Sequence, residues 1–205
     1  MTQLLINEHL PYGATELTPD DMDGLIPKHI FTRKDLDEFE KANIINALLW
    51  VRKKNHKYQD ILTMRFIFEL HKKMFDKTWK WAGQLRRYAV NIGFTAAEQI
   101  QPSIKNTLDN VTYWIENSIF PIDEICIRLH HQLVWIHPFP NGNGRFSRIF
   151  SDELKLALGG QQFQWGSNDN IAIASKNRTN YINALKLADK KDYTALLKFA
   201  IGKNN

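Results

Sequence analysis

The residues best suited to do chemistry in this chain lie between positions 137 and 148, where the sequence reads HPFPNGNGRFSR. Gly142 and Gly144 flank a small polar residue, so the backbone can adopt conformations closed to other residues and aim several N–H groups at one point. The segment directly precedes a predicted helix, whose first N–H groups and positive dipole end attract an anion. The pattern predicts a loop that binds a phosphate group.

Three basic side chains around this loop fit the same chemistry. Arg145 and Arg148 are three residues apart, close to one side of the following helix, where their guanidinium groups can bind further phosphate oxygens. His137 stands at the end of the preceding helix, and a neutral imidazole there can accept a proton from a hydroxyl group that attacks the bound phosphate. The sequence therefore predicts a general base beside an electrophilic phosphate.

The composition predicts one globular domain. The chain has 205 residues, of which 43% are apolar and 24% charged, and it includes six Trp and twelve Phe. A chain of this length can bury a core without disulfides or metals. Its composition argues against disordered, collagen-like and coiled-coil proteins. The 27 Lys and Arg residues exceed the 22 Asp and Glu residues, which suits an anionic partner without deciding among nucleic acid, nucleotide and membrane.

Cysteine usage and the N-terminal residues predict the compartment. Cys126 is the single cysteine, so an intramolecular disulfide is excluded and a reducing compartment is expected. The first residues lack the basic region of a signal peptide, and no stretch reaches the roughly 18 apolar residues of a membrane helix. We expect a soluble, cytoplasmic protein.

Helical periodicity dominates the chain from residue 32 onward. Residues 1–31 carry turn signals with little periodicity and predict an arm that wraps the domain, whereas 202–205 form a short tail. The apolar spacing and start signals predict helices after Thr32 and Thr63, from Pro102, from Pro121, after Gly144, around Tyr181 and from Asp192. Between Trp79 and Gln101 the helical period fails. There, β-branched and aromatic residues mix with an Asn and a Gly, which predicts a short β-hairpin in a mainly α fold.

The segment that starts at His137 resembles the active-site motif of the Fic family, H-x-F-x-[D/E]-G-N-G-R-x-x-R. The specified positions that match are His137, Phe139, Gly142, Asn143, Gly144, Arg145 and Arg148. Residues 70–75, 81–86 and 128–136 also look like segments of the family. Taken with residues 25–30, most of the chain resembles the branch called mobile mystery protein B.

The resemblance implies a mainly α Fic-type helical core over residues 32–201, with a small β-hairpin flap over the active site. It also implies the reaction, which is transfer of AMP from ATP to a Ser, Thr or Tyr hydroxyl of a target protein. His137 would be the general base and Phe139 a core anchor, while Gly142, Asn143 and Gly144 would form the anion cradle. Arg145 and Arg148 would hold the outer phosphates, with Arg148 on the γ-phosphate.

The same resemblance implies two kinds of protein partner. The flap residues would align a target segment by strand addition, which supplies main-chain hydrogen bonds with little demand on sequence. These residues are Arg87, Tyr88, Asn91, Ile92 and Gly93. Toxin-like members of the family rely on small antitoxins, and the branch suggests a separate inhibitor, mobile mystery protein A, that presents a carboxylate to Arg148.

Asn141 departs from the family's pattern. The family usually has Asp or Glu at this position, and that carboxylate ligates the Mg²⁺ that bridges the α- and β-phosphates. An amide oxygen can coordinate Mg²⁺, but it holds the ion less firmly because it carries no formal charge. ATP is therefore expected as substrate and Mg²⁺ as its ion, with Asn141 as a weak metal ligand.

Other interpretations stay open. The cradle could serve a kinase-like transfer or another nucleotide donor, or it could bind a nucleotide without turnover. Direct DNA binding is disfavoured because the chain shows no recognition-helix motif and no long basic run. His130 and His131 lack the spacing of a zinc motif and are expected to be structural. Residues 112–117 fit the family's inhibitory formula [S/T]-x-x-x-E-[G/N], but they lie inside a domain helix, so Glu116 is expected at the surface.

Overall fold

The computed structural model describes residues 14–90, 94–166 and 176–202. Within these ranges the chain forms nine α-helices and one 3₁₀ turn, Ala97–Gln99. The helices are α1 Pro19–Asp23, α2 Arg33–Arg52, α3 Tyr58–Ile61, α4 Met64–Phe75, α5 Ile100–Glu116, α6 Ile122–Ile136, α7 Asn143–Ala157, α8 Lys176–Ala188 and α9 Thr194–Ile201. The mainly α fold class is confirmed.

Side-chain caps explain why α2 and α4 begin where the sequence predicts. The Thr32 hydroxyl accepts the backbone N–H of Asp35 at 3.2 Å, and the Asp35 carboxylate accepts the backbone N–H of Thr32 at 3.2 Å. The Thr63 hydroxyl accepts the N–H of Phe66 at 3.1 Å. These bonds satisfy N–H groups that have no partner inside a helix.

Two helix boundaries differ from the prediction by one or two residues. α5 begins at Ile100, so Pro102 lies inside the first turn, where its missing N–H costs nothing. Pro121 is the cap before α6 rather than its first residue. α1 was not predicted, because five residues are too few to show a period, although Thr18 and Asp21 cap each other in the same way as Thr32 and Asp35.

The centre of the fold is formed by α6 and α7, which pack against each other and are joined by the loop of residues 137–142. α5 packs on α6, α4 packs on α7 and on α2, and α8 packs on α9. Phe139, Phe146 and Phe150 are fully buried in this centre, with the rings of Phe139 and Phe146 edge to face at 5.1 Å. The loop is thus fixed to the core on both sides.

The expected hairpin between Arg87 and Phe94 is not built from paired strands in the described residues beside its tip. Asn91, Ile92 and Gly93 lie outside the described residues, and 86–90 and 94–96 are not strand. Arg86 joins the two sides instead, donating to the carbonyl oxygens of Tyr88 at 2.7 Å and Thr95 at 2.5 Å. The Arg86 guanidinium group therefore connects the two sides of the flap, as backbone hydrogen bonds connect two strands of a sheet.

In the part of the chain that the structure describes, no helix has both the length and the apolar character that a membrane crossing needs.

Candidate active site

The loop between α6 and α7 is closed by its own side chains. The Asn143 amide spans the loop, accepting the N–H of Phe139 at 2.9 Å and donating to the carbonyl of Phe139 at 2.8 Å. Gly142 has φ +79°, and a Cβ there would lie 2.5 Å from the Phe75 ring, so only glycine fits. These contacts fix the backbone conformation of the loop in the structure.

His71 on α4 supports this loop from below. Its Nδ1 accepts the backbone N–H of Gly83 at 3.0 Å, so the proton is on Nε2, which donates to the Asn141 carbonyl at 3.1 Å. Its ring stacks on Phe139 at 3.6 Å. Complete burial lowers the pKa of His71 to about 3, which keeps the ring neutral. Sequence reasoning missed this role, although His71 lies in a segment that resembles the family.

The His137 ring is neutral and has a defined tautomer. It ends α6 in the left-handed conformation, with φ 51° and ψ 62°, and its Nδ1 lies 3.3 Å from the Val134 carbonyl. Because a carbonyl only accepts, Nδ1 carries the proton and Nε2 has a free lone pair. Burial lowers the pKa of His137 to about 4, partly offset by the Val134 hydrogen bond and reinforced by the positive charge of Arg86. The imidazole is therefore neutral at pH 7.

The N-terminal segment reaches this base. Thr15 Oγ1 lies 3.0 Å from His137 Nε2, and the Thr15 carbonyl accepts the Asn141 amide at 3.3 Å. Sequence reasoning placed residues 1–31 around the domain but did not identify this contact. A threonine in a loop carries no local signal for it.

The cradle has room at its open end. Gly144 lies in the first turn of α7, and the nearest atom to a Cβ built there is Arg148 Nη1 at 3.8 Å. The start of α7 offers backbone N–H groups and the positive end of the helix dipole, which favour an anion. The arrangement suits a phosphate group beside Arg148.

Arg145 is less available to a ligand than the sequence predicts. Its Nη1 donates to Glu40 Oε2 on α2 at 2.6 Å, and the other carboxylate oxygen accepts Trp79 Nε1 at 2.6 Å. The Glu40 side chain is buried, so the pair ties α2 to the start of α7. Glu40 was missed because a Glu within a polar helix reads as a solvated residue.

Arg148 faces α8. Its guanidinium group lies 5.5 Å from the centre of the Tyr181 ring. Burial, followed by the charge of Arg148, lowers the pKa of Arg178. Arg178, on α8, therefore lies close enough to Arg148 for their charges to interact. Arg178 was not predicted, since a single arginine at the start of a weakly periodic helix gives no signal.

Both polar atoms of the Asn141 side chain are already hydrogen-bonded within the protein. Its Oδ1 accepts the N–H of Gly142 at 2.6 Å, and its Nδ2 donates to the N-terminal segment. Among the described residues, no group of three or more His, Cys, Asp and Glu side chains could hold a metal. The residues present therefore do not fit a Mg²⁺ ion held mainly by the protein.

The flap is attached to the active-site loop at its base. The Arg86 backbone N–H donates to the Pro138 carbonyl at 2.9 Å and its Nε donates to the His137 carbonyl at 2.6 Å. Arg87 is exposed, whereas the Tyr88 hydroxyl donates to Asp21, so Tyr88 binds the N-terminal segment. Burial first, and then the hydrogen bond with Asp21, raise the pKa of Tyr88.

His130 and His131 contact α8 and the residue that follows it. His130 Nε2 lies 3.0 Å from the Tyr181 hydroxyl, and His131 Nε2 lies 2.9 Å from Asp189 Oδ1. Glu116 is exposed at the end of α5.

Comparison with known proteins identifies this part of the chain. The sequence model of the Fic/DOC family matches residues 61–154, which contain the loop, α6, most of α7 and His71. These residues are a Fic/DOC domain. The narrower likeness to mobile mystery protein B stays a prediction.

Relatives and solved structures of the family agree with this assignment. The chain is 27% identical over 146 residues to "Protein adenylyltransferase Fic" of Drosophila mojavensis, a match that covers 67% of this chain and 26% of the relative. The fold is similar to Fic-1 of C. elegans, with TM-score 0.64, 19% identity, and coverage of 88% of this chain and 51% of that one. It is also similar to the Bartonella tribocorum effector BepC with bound AMPPNP, with TM-score 0.63, 18% identity, and coverage of 95% and 97%. At these identities the neighbours show a shared Fic fold.

Proposed function

We propose that this chain is a protein adenylyltransferase that moves AMP from ATP to a hydroxyl group of a protein. The observation that carries the proposal is a neutral His137 whose Nε2 accepts a hydroxyl group, directly before an open helix N-terminus. A base, an acceptor hydroxyl and an anion cradle are what nucleotidyl transfer needs. The name of the matched Drosophila relative supports AMP as the transferred group.

In this proposal the cradle binds the nucleotide through its backbone. The N–H groups of Asn143 and Gly144 and the dipole of α7 stabilise the phosphates, and Arg148 binds the outer ones. Gly142 contributes the turn of the cradle, because its own N–H donates to Asn141. Arg145 contributes charge near the cradle, but Glu40 balances much of that charge.

The chemical step uses His137 as the base. The acceptor hydroxyl attacks the α-phosphorus, its proton moves to His137 Nε2, and the bond to the β-phosphate breaks so that pyrophosphate leaves. The Val134 carbonyl holds the ring in the tautomer that has its lone pair on Nε2. Because the low pKa of His137 keeps the ring neutral, no proton must be lost before the reaction.

In this proposal the flap is the docking site for the target protein. The backbone of the flap would pair with a strand of the target through Arg87, Tyr88, Asn91, Ile92 and Gly93. The attachment of Arg86 to the His137 and Pro138 carbonyls supports this role, because it fixes the flap relative to the base.

The setting of the reaction is also part of the proposal. Mg²⁺ enters as an ion held by the nucleotide phosphates and water, since the Asn141 oxygen is engaged with Gly142.

We assign the reaction to the cytoplasm because Cys126 is the single cysteine. A separate antitoxin-like protein of the mobile mystery protein A type would inhibit the enzyme through a carboxylate on Arg148. The domain division at residues 1–31, 32–201 and 202–205 is retained.

Labelled ATP tests the proposed function. The chain is incubated with cell lysate, Mg²⁺ and ATP labelled at either the α- or the γ-phosphate. Label from the α position on protein supports adenylyl transfer, whereas label from the γ position alone identifies a kinase-like reaction. ATP binding with no transfer identifies a nucleotide-binding module.

His137→Ala tests the base. Transfer should fall by about 10²- to 10⁴-fold, the usual worth of general base catalysis, while ATP affinity stays within about threefold. His29→Gln is the matched control, because His29 is exposed near the N-terminal side of the domain and should leave transfer unchanged. Unchanged transfer in His137→Ala would remove the mechanism.

A further inference from the structure

The contact between Thr15 and His137 has the geometry of an acceptor hydroxyl on its base. Thr15 Oγ1 lies 3.0 Å from His137 Nε2, within the range of about 2.6 to 3.2 Å expected for a catalytic base and the proton it takes. Because Nδ1 of His137 donates to the Val134 carbonyl, Nε2 accepts and the Thr15 hydroxyl donates. The proton that the base must remove already points at it.

The segment around Thr15 is held in register by its backbone and by the residues that follow. The Thr15 carbonyl accepts the Asn141 amide at 3.3 Å, beside the start of the cradle. Leu17 is buried, with 2% of its surface exposed. Asp21 then links the segment to the flap side, accepting Trp81 Nε1 on its carbonyl at 3.0 Å and the Tyr88 hydroxyl on its carboxylate.

These contacts hold Thr15 in a defined position beside His137. Holding the acceptor beside the base replaces a bimolecular encounter with a positioned one, which accelerates transfer strongly. Neighbouring hydroxyl groups are engaged elsewhere: Ser147 donates to the Gly144 carbonyl at 3.2 Å, and Thr18 donates to Asp21 at 2.8 Å. Of these three hydroxyl groups, Thr15 is the one that contacts the base.

We infer that Thr15 is a site of self-adenylylation, an inference that rests on the proposed function. The Thr15 Oγ–phosphorus bond forms as the bond between the α-phosphorus and the bridging oxygen to the β-phosphate breaks. The Thr15 proton moves to His137 Nε2, and pyrophosphate leaves with the electron pair. The product is a phosphodiester between Thr15 and AMP, which removes the hydrogen-bond donor that holds the segment on His137.

Mass spectrometry of the full chain tests this inference. The purified protein is incubated with ATP and Mg²⁺, the mass of the intact chain is recorded, and the peptide that contains residue 15 is sequenced. We expect one AMP on Thr15. Thr15→Ser should keep this modification, because it retains the hydroxyl group, and Thr15→Val should lose it at nearly constant side-chain volume. The fold of each variant is checked by circular dichroism and thermal unfolding.

The dependence of the modification rate on protein concentration distinguishes transfer within one chain from transfer between chains. We expect the half-time of Thr15 modification to stay constant over an about tenfold dilution of the protein. A half-time that lengthens in proportion to dilution would overturn transfer within one chain.

A parallel incubation with cell lysate distinguishes failure of this inference from failure of the proposed function. AMP on lysate proteins or elsewhere on the chain, with none on Thr15, overturns the inference and leaves the adenylyltransferase standing. AMP on no protein in either incubation overturns both. AMP on residue 15 of the wild type and of Thr15→Ser, but not of His137→Ala, supports both.

Discussion

Arg145 in the first turn of α7 and Glu40 of α2 form an ion pair at 2.6 Å, although 105 residues separate them along the chain. Both carboxylate oxygens of Glu40 are engaged, because Trp79 donates to the second one. The pair fixes the position of α2 against the first turn of α7. It also means that one of the two motif arginines has a structural partner before a nucleotide arrives.

Glu40→Gln should destabilise the fold while keeping the shape of the side chain. The substitution leaves the Arg145 cation without its counterion in a largely buried place. We expect the free energy of unfolding, measured by urea titration, to fall by about 1–3 kcal/mol. This loss is smaller than for a fully buried ion pair because the Arg145 side chain is 21% exposed. Asp37→Asn is the matched control on the same helix. Its pair with Arg33 is more open to solvent, so its loss should stay below about 1 kcal/mol. Equal losses in both variants would contradict a special role for Glu40.

The two motif arginines should differ in their contribution to ATP binding. Lysine in place of Arg148 keeps the charge but loses the planar fork that binds phosphate, so we expect an about tenfold weaker affinity for a non-hydrolysable ATP analogue. Lysine in place of Arg145 can still donate to Glu40, and affinity should stay within about threefold. Isothermal titration calorimetry measures both. A larger loss for Arg145→Lys than for Arg148→Lys would show that Arg145 leaves Glu40 to bind phosphate.

Local features of this fold could be predicted from the sequence, and distant contacts could not. The caps at Thr32 and Thr63 depend on residues three positions away, so they were visible as patterns. The contacts of Thr15 with His137 and of Glu40 with Arg145 join positions more than a hundred residues apart, and a single polar residue does not reveal its partner.

The flap shows how far a local pattern reaches. Its β-branched and aromatic residues, mixed with an Asn and a Gly, predict a hairpin, but they do not predict that the buried Arg86 side chain donates to the carbonyl oxygens of Tyr88 and Thr95. The same limit applies to Asn141, where the sequence identified a departure from the motif. Only the structure gives its hydrogen bond to Gly142.

Four buried histidines in the described part of the chain should make the fold sensitive to mild acid. Burial lowers the pKa of His71 to about 3 and of His137 to about 4, and lowers the pKa of His130 well below 6.5. Burial also lowers the pKa of His131, partly offset by Asp189. In the unfolded chain these groups bind protons below about pH 6.5, whereas the folded state binds them only at much lower pH. Stability is therefore fully present above pH 6.5 and is lost as the pH falls toward 4.

Urea titrations at pH 7 and pH 5 measure this effect. Each fully buried group should contribute about 1.4 kcal/mol per pH unit within that window, so the midpoint should fall clearly at pH 5. His130→Gln should reduce the pH dependence because it removes one of the four groups. His29→Gln, an exposed control, should leave the dependence unchanged. Equal stability of the wild type at both pH values would contradict the burial of neutral histidines.

The last prediction concerns Asn141 and Mg²⁺. Asn141→Asp should keep an oxygen that accepts the Gly142 N–H and add a negative charge at the start of the cradle. One carboxylate in place of an amide strengthens binding of a hard cation, so the Mg²⁺ concentration for half-maximal AMP transfer should fall several-fold. The variant also loses the amide donor to the Thr15 carbonyl, which weakens the hold of the N-terminal segment.

Asn141→Ala is the matched control for this prediction. Because the Asn141 oxygen is engaged with Gly142, its removal should leave the Mg²⁺ requirement within about twofold of the wild type. Transfer is titrated against Mg²⁺ for all three proteins at a fixed ATP concentration. A several-fold higher requirement in Asn141→Ala would show that the amide already binds the ion during turnover. An unchanged requirement in Asn141→Asp would show that the ion does not approach this residue, and Asn141 would then serve only to shape the loop.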